Sequence, residues 1–139
     1  MTGYLLDTCA ISEFAKREPN RGFLAWAREV DPARTYLSAV TVGELCYGIA
    51  RSHEVQRVRL GSWFSHDVLP EFASRILAFD TSVSERWGAF RAGARQAGST
   101  LSALDAAVAA TAAQFALTLV TRNESDFLHA VVPMLNPWT

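Results

Sequence analysis

MTGYLLDTCAISE, residues 1–13, is the stretch whose reading decides the fold. A short apolar run, Tyr4-Leu5-Leu6, ends abruptly on Asp7. Thr8 follows, and a helical pattern begins near Ile11. That order predicts a buried strand whose C-terminal end delivers a carboxylate to the start of a helix. In open α/β sheets, ligand chemistry collects at the carboxyl ends of strands. Asp7 therefore stands where a catalytic acid belongs, and the rest of the chain is read for acids that reach the same place.

Working outward, the helix is expected to run over residues 11–17 and to stop before Pro19. Asn20 caps a second helix over 21–30, with Phe23, Trp26, Ala27 and Val30 on one face. Asp31-Pro32 breaks it. Residues 35–39 form a second strand and 41–52 a helix. A long helical stretch covers 54–69, with Gly61 and Pro70 interrupting its pattern. Residues 75–79 form a third strand ended by Asp80, and 82–97 an amphipathic helix stopped by Gly98. Residues 102–116 form an Ala-rich helix, whose small side chains suit close packing against a sheet. Residues 118–121 make a fourth strand, and 131–135 a short last one. Strands alternating with helices imply a mostly parallel central sheet of four to five strands flanked by helices, the α/β class. No repeat, linker or low-complexity segment interrupts residues 1–139, so one domain is expected.

The totals bound the function. Half of the 139 residues are apolar and 19% are charged, a globular composition. No apolar run approaches the ~20 residues that span a bilayer. There is no basic region followed by an apolar one at the N-terminus. Cys9 and Cys46 lack metal-type spacing, and free thiols in a cytoplasmic protein are the expectation. A net charge of −1 excludes a protein that coats nucleic acid by bulk electrostatics. It does not exclude a nuclease, whose acidic metal site offsets basic residues elsewhere. Lys16 is the only lysine and the other twelve basic residues are arginines, which suit bidentate phosphate contact as well as a plain coding bias.

Four acids fall at the same kind of junction. Asp7 closes the first strand; Glu44 and Asp105 are read in the first turns of the helices at 41–52 and 102–116; Asp126 follows the fourth strand. Caps are the competing explanation. Thr41-x-x-Glu44, Ser102-x-x-Asp105 and Ser82-x-x-Glu85 all match a capping box, and helix dipoles favour acids in a first turn. Capping does not account for Asp7 at the end of an apolar strand. If the acids converge, two carboxylates about 4 Å apart repel by ~4 kcal/mol at an effective dielectric of about 20. A hard divalent cation is the natural neutraliser, and oxygen ligands select Mg2+ or Mn2+. Such a site suits phosphodiester hydrolysis. The histidines, His53, His66 and His129, have no zinc-type spacing.

These pieces resemble the PIN-domain ribonucleases, and among them the VapC-type toxins of bacterial toxin–antitoxin pairs. The matching segments are LLDT at 5–8 with Ser12, TVGEL at 41–45, LDAAVAATA at 104–112 and LVTRNESDF at 119–127. They stand in the family's order and cover the chain end to end. The resemblance implies a PIN fold, a Mg2+- or Mn2+-dependent endoribonuclease acting on RNA, and a homodimeric toxin neutralised by a small VapB-like antitoxin. By position, Asp7, Glu44 and Asp105 would be the core metal-binding acids, with Thr8 and Thr121 the polar residues nearest metal and substrate. Asp126 is preferred as the fourth acid, with Asn123 as an orienting amide and Arg122 steering the backbone. Rival readings fit less well. A receiver-type signalling domain needs a lysine late in the sheet, and a haloacid-dehalogenase-like phosphatase needs an acid where this chain has Cys9. A catalytically inactive PIN-fold binding module would use its acids as caps alone.

Overall fold

Leu5 and Leu6 are both fully buried, yet they enter different cores on opposite faces of one sheet. That alternation, the period of two inherent to a strand, puts β1 (Tyr4–Leu6) in the middle of the molecule. The computed structural model describes residues 2–99 and 101–139. Its sheet has the order β3-β2-β1-β4-β5, with β2 at Thr35–Ser38, β3 at Ile76–Leu77, β4 at Thr118–Val120 and β5 at Met134–Leu135. Every neighbouring pair is parallel. The register pairs Tyr4 with Thr35 and Leu6 with Val120, so the residues that follow, Asp7 and Thr121, emerge side by side. The chain winds outward from β1 through β2 to β3, then crosses to the other side for β4 and β5. The order therefore reverses between β1 and β4, and the carboxyl edge of an α/β sheet at such a switch point is where a crevice forms.

One face of the sheet packs against α6 (Thr81–Gln96) and α7 (Ala103–Gln114). Every residue of α7 from Ala106 to Ala112 is buried, because alanine lets the helix sit between sheet and α6 without a large side chain to place. Gly98, at φ +73°, ends α6 in the left-handed conformation that glycine adopts without penalty. The other face packs against α1 (Thr8–Glu13), α2 (Arg21–Glu29), α3 (Ala39–Arg51) and α4 (Glu54–Trp63), with Phe23, Leu37 and Phe72 in its core.

Several boundaries differ from the sequence expectation for physical reasons. α1 starts at Thr8 rather than near Ile11, and it stops at Glu13 rather than Arg17. Glu13 is pulled inward as a hydrogen-bond acceptor, and the chain turns there toward α2. α3 starts at Ala39, capped by Ser38, whose Oγ accepts from the Val40 N–H at 3.1 Å; Thr41 is already inside the helix. Asp80, not Ser82, caps α6 through the Val83 N–H at 3.1 Å. The stretch after α4 stays helical but widens into a π turn, Phe64–Val68, before a last turn, α5 (Leu69–Glu71). Pro70 has no N–H to donate and its ring crowds the preceding carbonyls. The Leu69 N–H reaches back to Phe64 O instead.

The C-terminal residues lie across the start of α2. Asn20 Nδ2 donates to Thr139 O at 3.1 Å, and the Thr139 N–H donates to Asn20 Oδ1 at 3.1 Å. A Cβ on Gly22 would lie 2.6 Å from Pro137 O and 2.5 Å from Thr139 Cγ2. Gly22→Ala is therefore expected to lower the melting temperature by about 3 °C, overpacking outweighing the ~1 kcal/mol by which alanine favours a helix. A thermal melt that rises instead would mean the last residues do not seat there.

Candidate active site

Asp7 leaves β1 with an extended backbone and caps α1 directly: its Oδ1 accepts the Ala10 N–H at 2.9 Å. The acid at the end of an apolar strand is thus also a helix cap, contrary to the sequence reading that capping leaves it unexplained. The Cys9 thiol donates to the same Oδ1 at 2.9 Å. Both hydrogen bonds fall on Oδ1, and Oδ2 makes none among the described residues. Asp7 is 6% exposed.

Glu44 is the sixth residue of α3, a full turn further in than the first turn expected from sequence, and it caps nothing. Its Oε1 accepts from Thr8 Oγ1 at 2.8 Å, which ties α3 to α1 across the mouth of the crevice. Asp105 is the third residue of α7, where its backbone N–H donates to Ser102 Oγ at 3.1 Å; here the expected cap geometry is present.

Asp7, Thr8, Ser12, Glu44, Asp105 and Asn123 line one cleft of about 280 Å³, with Cys9, Val108 and Phe127 completing its walls. Two further residues of the predicted set, Thr121 and Asp126, lie outside that lining. Thr121 is fully buried, its Oγ1 accepting the Asn123 backbone N–H at 3.0 Å, so it fixes the Asn123 backbone rather than lining the cleft. Asp126 is exposed on the turn Glu124–Phe127, at the rim. Arg122 turns away: its guanidinium lies 5.8 Å over the Trp138 ring. Glu124 also faces outward, accepting from Asn136 Nδ2 at 3.0 Å.

The charges feel one another. Burial pushes the Glu44 carboxyl above its ordinary range; the Thr8 hydrogen bond opposes this, and the charges of Asp105 and Asp7 add to it. Burial likewise pushes Asp105 up, opposed by Ser102 and reinforced by the charges of Asp126 and Asp7. The Cys9 thiol is pushed up to about 12, first by burial and then by the Asp7 charge and hydrogen bond. Cys9 is therefore a protonated donor that holds Asp7 in place and not a soft thiolate ligand.

The acids ring the cleft instead of crowding one point. Among the described residues, no three acidic, cysteine or histidine side chains stand close enough to form a cage around an ion. The donor set is nonetheless hard oxygen throughout. Mg2+ sites typically use one or two carboxylates and keep several waters. A carboxylate-walled cleft of this size fits a hydrated divalent cation better than an all-protein cage.

Comparison with known proteins agrees with this architecture. The family model described as PIN domain matches residues 4–131. Toxin FitB of Neisseria gonorrhoeae is 39% identical over 139 residues, covering 96% of this chain and 97% of that protein. VapC ribonuclease Y4jK of Sinorhizobium fredii is 36% identical over 135 residues, covering 96% of each. The crystal structure of FitAcB from Neisseria gonorrhoeae superposes with a TM-score of 0.90 at 38% identity, over 97% of this chain and 98% of that one. With a family model spanning nearly its whole length and relatives this similar from end to end, the chain belongs to the PIN-domain family.

Proposed function

We propose that this protein is a divalent-metal-dependent endoribonuclease and the toxin of a toxin–antitoxin pair. The observation that carries the proposal is the arrival of Asp7 from the cap of α1, Glu44 from the second turn of α3 and Asp105 from the first turn of α7 in one cleft at the carboxyl edge of the sheet. The likeness to a protein named as a VapC ribonuclease supports the reaction. The likeness to a protein named as a toxin supports the toxin role, for which a small antitoxin is the expected partner. Among the described residues no helix is long and apolar enough to cross a membrane.

Asp7, Glu44 and Asp105 would hold Mg2+ or Mn2+, with Asp126 approaching from the rim on the Asp105 side. Such an ion lowers the pKa of a bound water and stabilises charge on phosphate oxygens. The chain's own groups do the positioning. The Ala10 N–H and Cys9 S–H fix Asp7 through Oδ1. Thr8 fixes Glu44. Thr121 holds the backbone of Asn123, which lines the cleft where a substrate oxygen would lie.

The direct test is cleavage of total RNA by the purified protein with Mg2+ or Mn2+ and with EDTA. Cleavage that survives EDTA would remove the metal from the proposal. A second test needs no substrate. Mn2+ at about 100 times its Kd is expected to stabilise the fold by ~2.7 kcal/mol, a rise of about 8 °C in melting temperature. A protein whose acids serve only as caps would not respond.

Glu44 gives a test with the opposite sign. In EDTA at pH 8, Glu44→Gln is expected to raise the melting temperature by about 1–3 °C, roughly 0.5 kcal/mol after allowance for solvent screening. The ionised Glu44 is disfavoured by burial and by its acidic neighbours, whereas Gln still accepts from Thr8. A carboxyl whose folded pKa is raised costs stability at high pH. The gain must therefore fade as the pH falls toward the ordinary carboxylate range, where wild-type Glu44 is itself protonated. The same variant should lose most of the Mn2+ response. A Glu44→Gln protein that melts lower at pH 8 would contradict the electrostatic account.

A further inference from the structure

A second cleft lies beside the first. It has a volume of about 300 Å³ and shares Thr8, Ser12 and Glu44 with the acid-lined one, so the two adjoin along these residues. The charge changes sign between them. The first cleft carries three acids and no basic residue; the second carries Lys16 and Arg59 against the single shared acid, Glu44. Lys16 is paired with Glu13, 2.9 Å away. Arg59 is different. Its Nη1 donates to Ala15 O at 2.9 Å and its Nε to Gln56 Oε1 at 3.3 Å, so both contacts are with neutral acceptors. Among the described residues the ion pairs are those of Lys16 and Arg75, and Arg59 has none. It is a full positive charge, held still by the carbonyl that ends the α1 turn, on the wall of a cleft beside the acids.

Resting on the endoribonuclease reading, we propose that this second cleft is the subsite for the RNA strand on one side of the scissile bond, with Arg59 the residue that binds the flanking phosphate. A polyanion passing through the acid cleft alone would meet only like charge outside the metal. Continuing past Thr8 and Ser12, it reaches a fixed guanidinium whose planar fork matches a phosphate and whose ordering cost is already met by the fold. A third hollow, of about 410 Å³, does not compete for this role. It is lined by apolar side chains with Asp67 and Glu71 and has no basic residue, so it repels a phosphate backbone.

The test is steady-state cleavage of a mixed-sequence oligoribonucleotide by wild type, Arg59→Gln, Arg59→Lys and Arg57→Gln. Arg57 sits on the same helix but donates to Ser52 O outside the cleft, and serves as the control. Arg59→Gln is expected to raise KM about 5–10-fold with kcat within a factor of two. It should also flatten the slope of log kcat/KM against log salt by about 0.7, the value for one phosphate contact on a single strand. Arg59→Lys keeps the charge and should keep the slope. Arg57→Gln should match wild type in both. A role for Arg59 confined to holding Ala15 would lower the melting temperature of both Arg59 variants and leave the salt slope alone, which overturns the proposal. Equal slopes for Arg59→Gln and wild type overturn the subsite while leaving the nuclease intact. A wild type that cuts no RNA with either ion overturns the nuclease and the subsite together.

Discussion

Asp7→Asn and Asp105→Asn are each expected to reduce metal-dependent RNA cleavage by a factor on the order of 10³ while leaving the fold in place. A loss of that size corresponds to about 4 kcal/mol of transition-state stabilisation, in keeping with removal of a charged ligand from a metal site. The structure explains why stability should be spared. Asn caps helices as well as Asp does, and its Oδ1 can still accept from the Ala10 N–H and the Cys9 thiol. At position 105 the substitution gives up a helix-dipole contribution of about 0.3–1 kcal/mol and relieves repulsion from Asp126 and Asp7, two small effects of opposite sign. Melting temperatures within about 3 °C of wild type in EDTA, together with lost cleavage and a lost Mn2+ response, are the expected result. Full metal-dependent activity in Asp7→Asn would end the case for the site. An inactive but equally Mn2+-stabilised Asp105→Asn would place the ion elsewhere in the cleft.

The strand-and-helix alternation and the parallel sheet were legible because each rests on local signals, whereas the meeting of Asp7, Glu44 and Asp105 in one cleft was an expectation carried by the family resemblance. Apolar runs bounded by acids mark strand ends, and the 3.6-residue pattern marks the helices that follow them. Cap assignments were less legible, because several polar residues compete within four positions of every helix start. Ser38 and Thr41 both offer a cap near the start of α3, and the cap is Ser38, since β2 runs straight into the helix without a loop and Thr41 already lies inside it. Asp80 caps α6, and Ser82 already lies inside the helix. One consequence inverts the expected division of labour: Asp7 is a cap, while Glu44, whose sequence fits a capping box, caps nothing and is free to face the cleft. The early end of α1 at Glu13 had no local signal at all. Glu13 is held there by Asn20 and by Trp138, seven and 125 positions away, contacts that no helical period can report.

Those distant contacts give the largest expected effect on stability. Glu13 is 2% exposed, in the core side of α1. Its Oε1 accepts from Trp138 Nε1 at 3.1 Å and pairs with Lys16 Nζ at 2.9 Å; its Oε2 accepts the Asn20 N–H at 2.8 Å. Trp138 in turn packs on Phe23, with ring centroids 4.9 Å apart, and lies under Arg122. One buried carboxylate thus joins the end of α1, the start of α2 and the C-terminal residues. Burial alone would raise its pKa, but the hydrogen bonds from Lys16, Asn20 and Trp138, with the Lys16 charge, outweigh burial and hold it below the ordinary carboxylate range. Glu13→Gln keeps the shape and loses the charge. It also sets an amide N–H2 against the donors at one of the two oxygens. A loss of about 3 kcal/mol, near 10 °C in melting temperature, is expected at pH 7. A carboxyl with a lowered folded pKa contributes stability that is fully present above its unfolded value, near 4.3, and is lost as the pH falls through the folded one. The gap between wild type and Glu13→Gln should therefore be widest at neutral pH and shrink below about pH 4. Near-neutral substitution at pH 7, or a gap that grows on acidification, would show that Glu13 is not the charged clamp the geometry describes. Because Thr8 and Ser12 ride on the same short helix, a loosened clamp should also cost cleavage activity before the protein unfolds, measurable as a fall in kcat at temperatures well below the melting point.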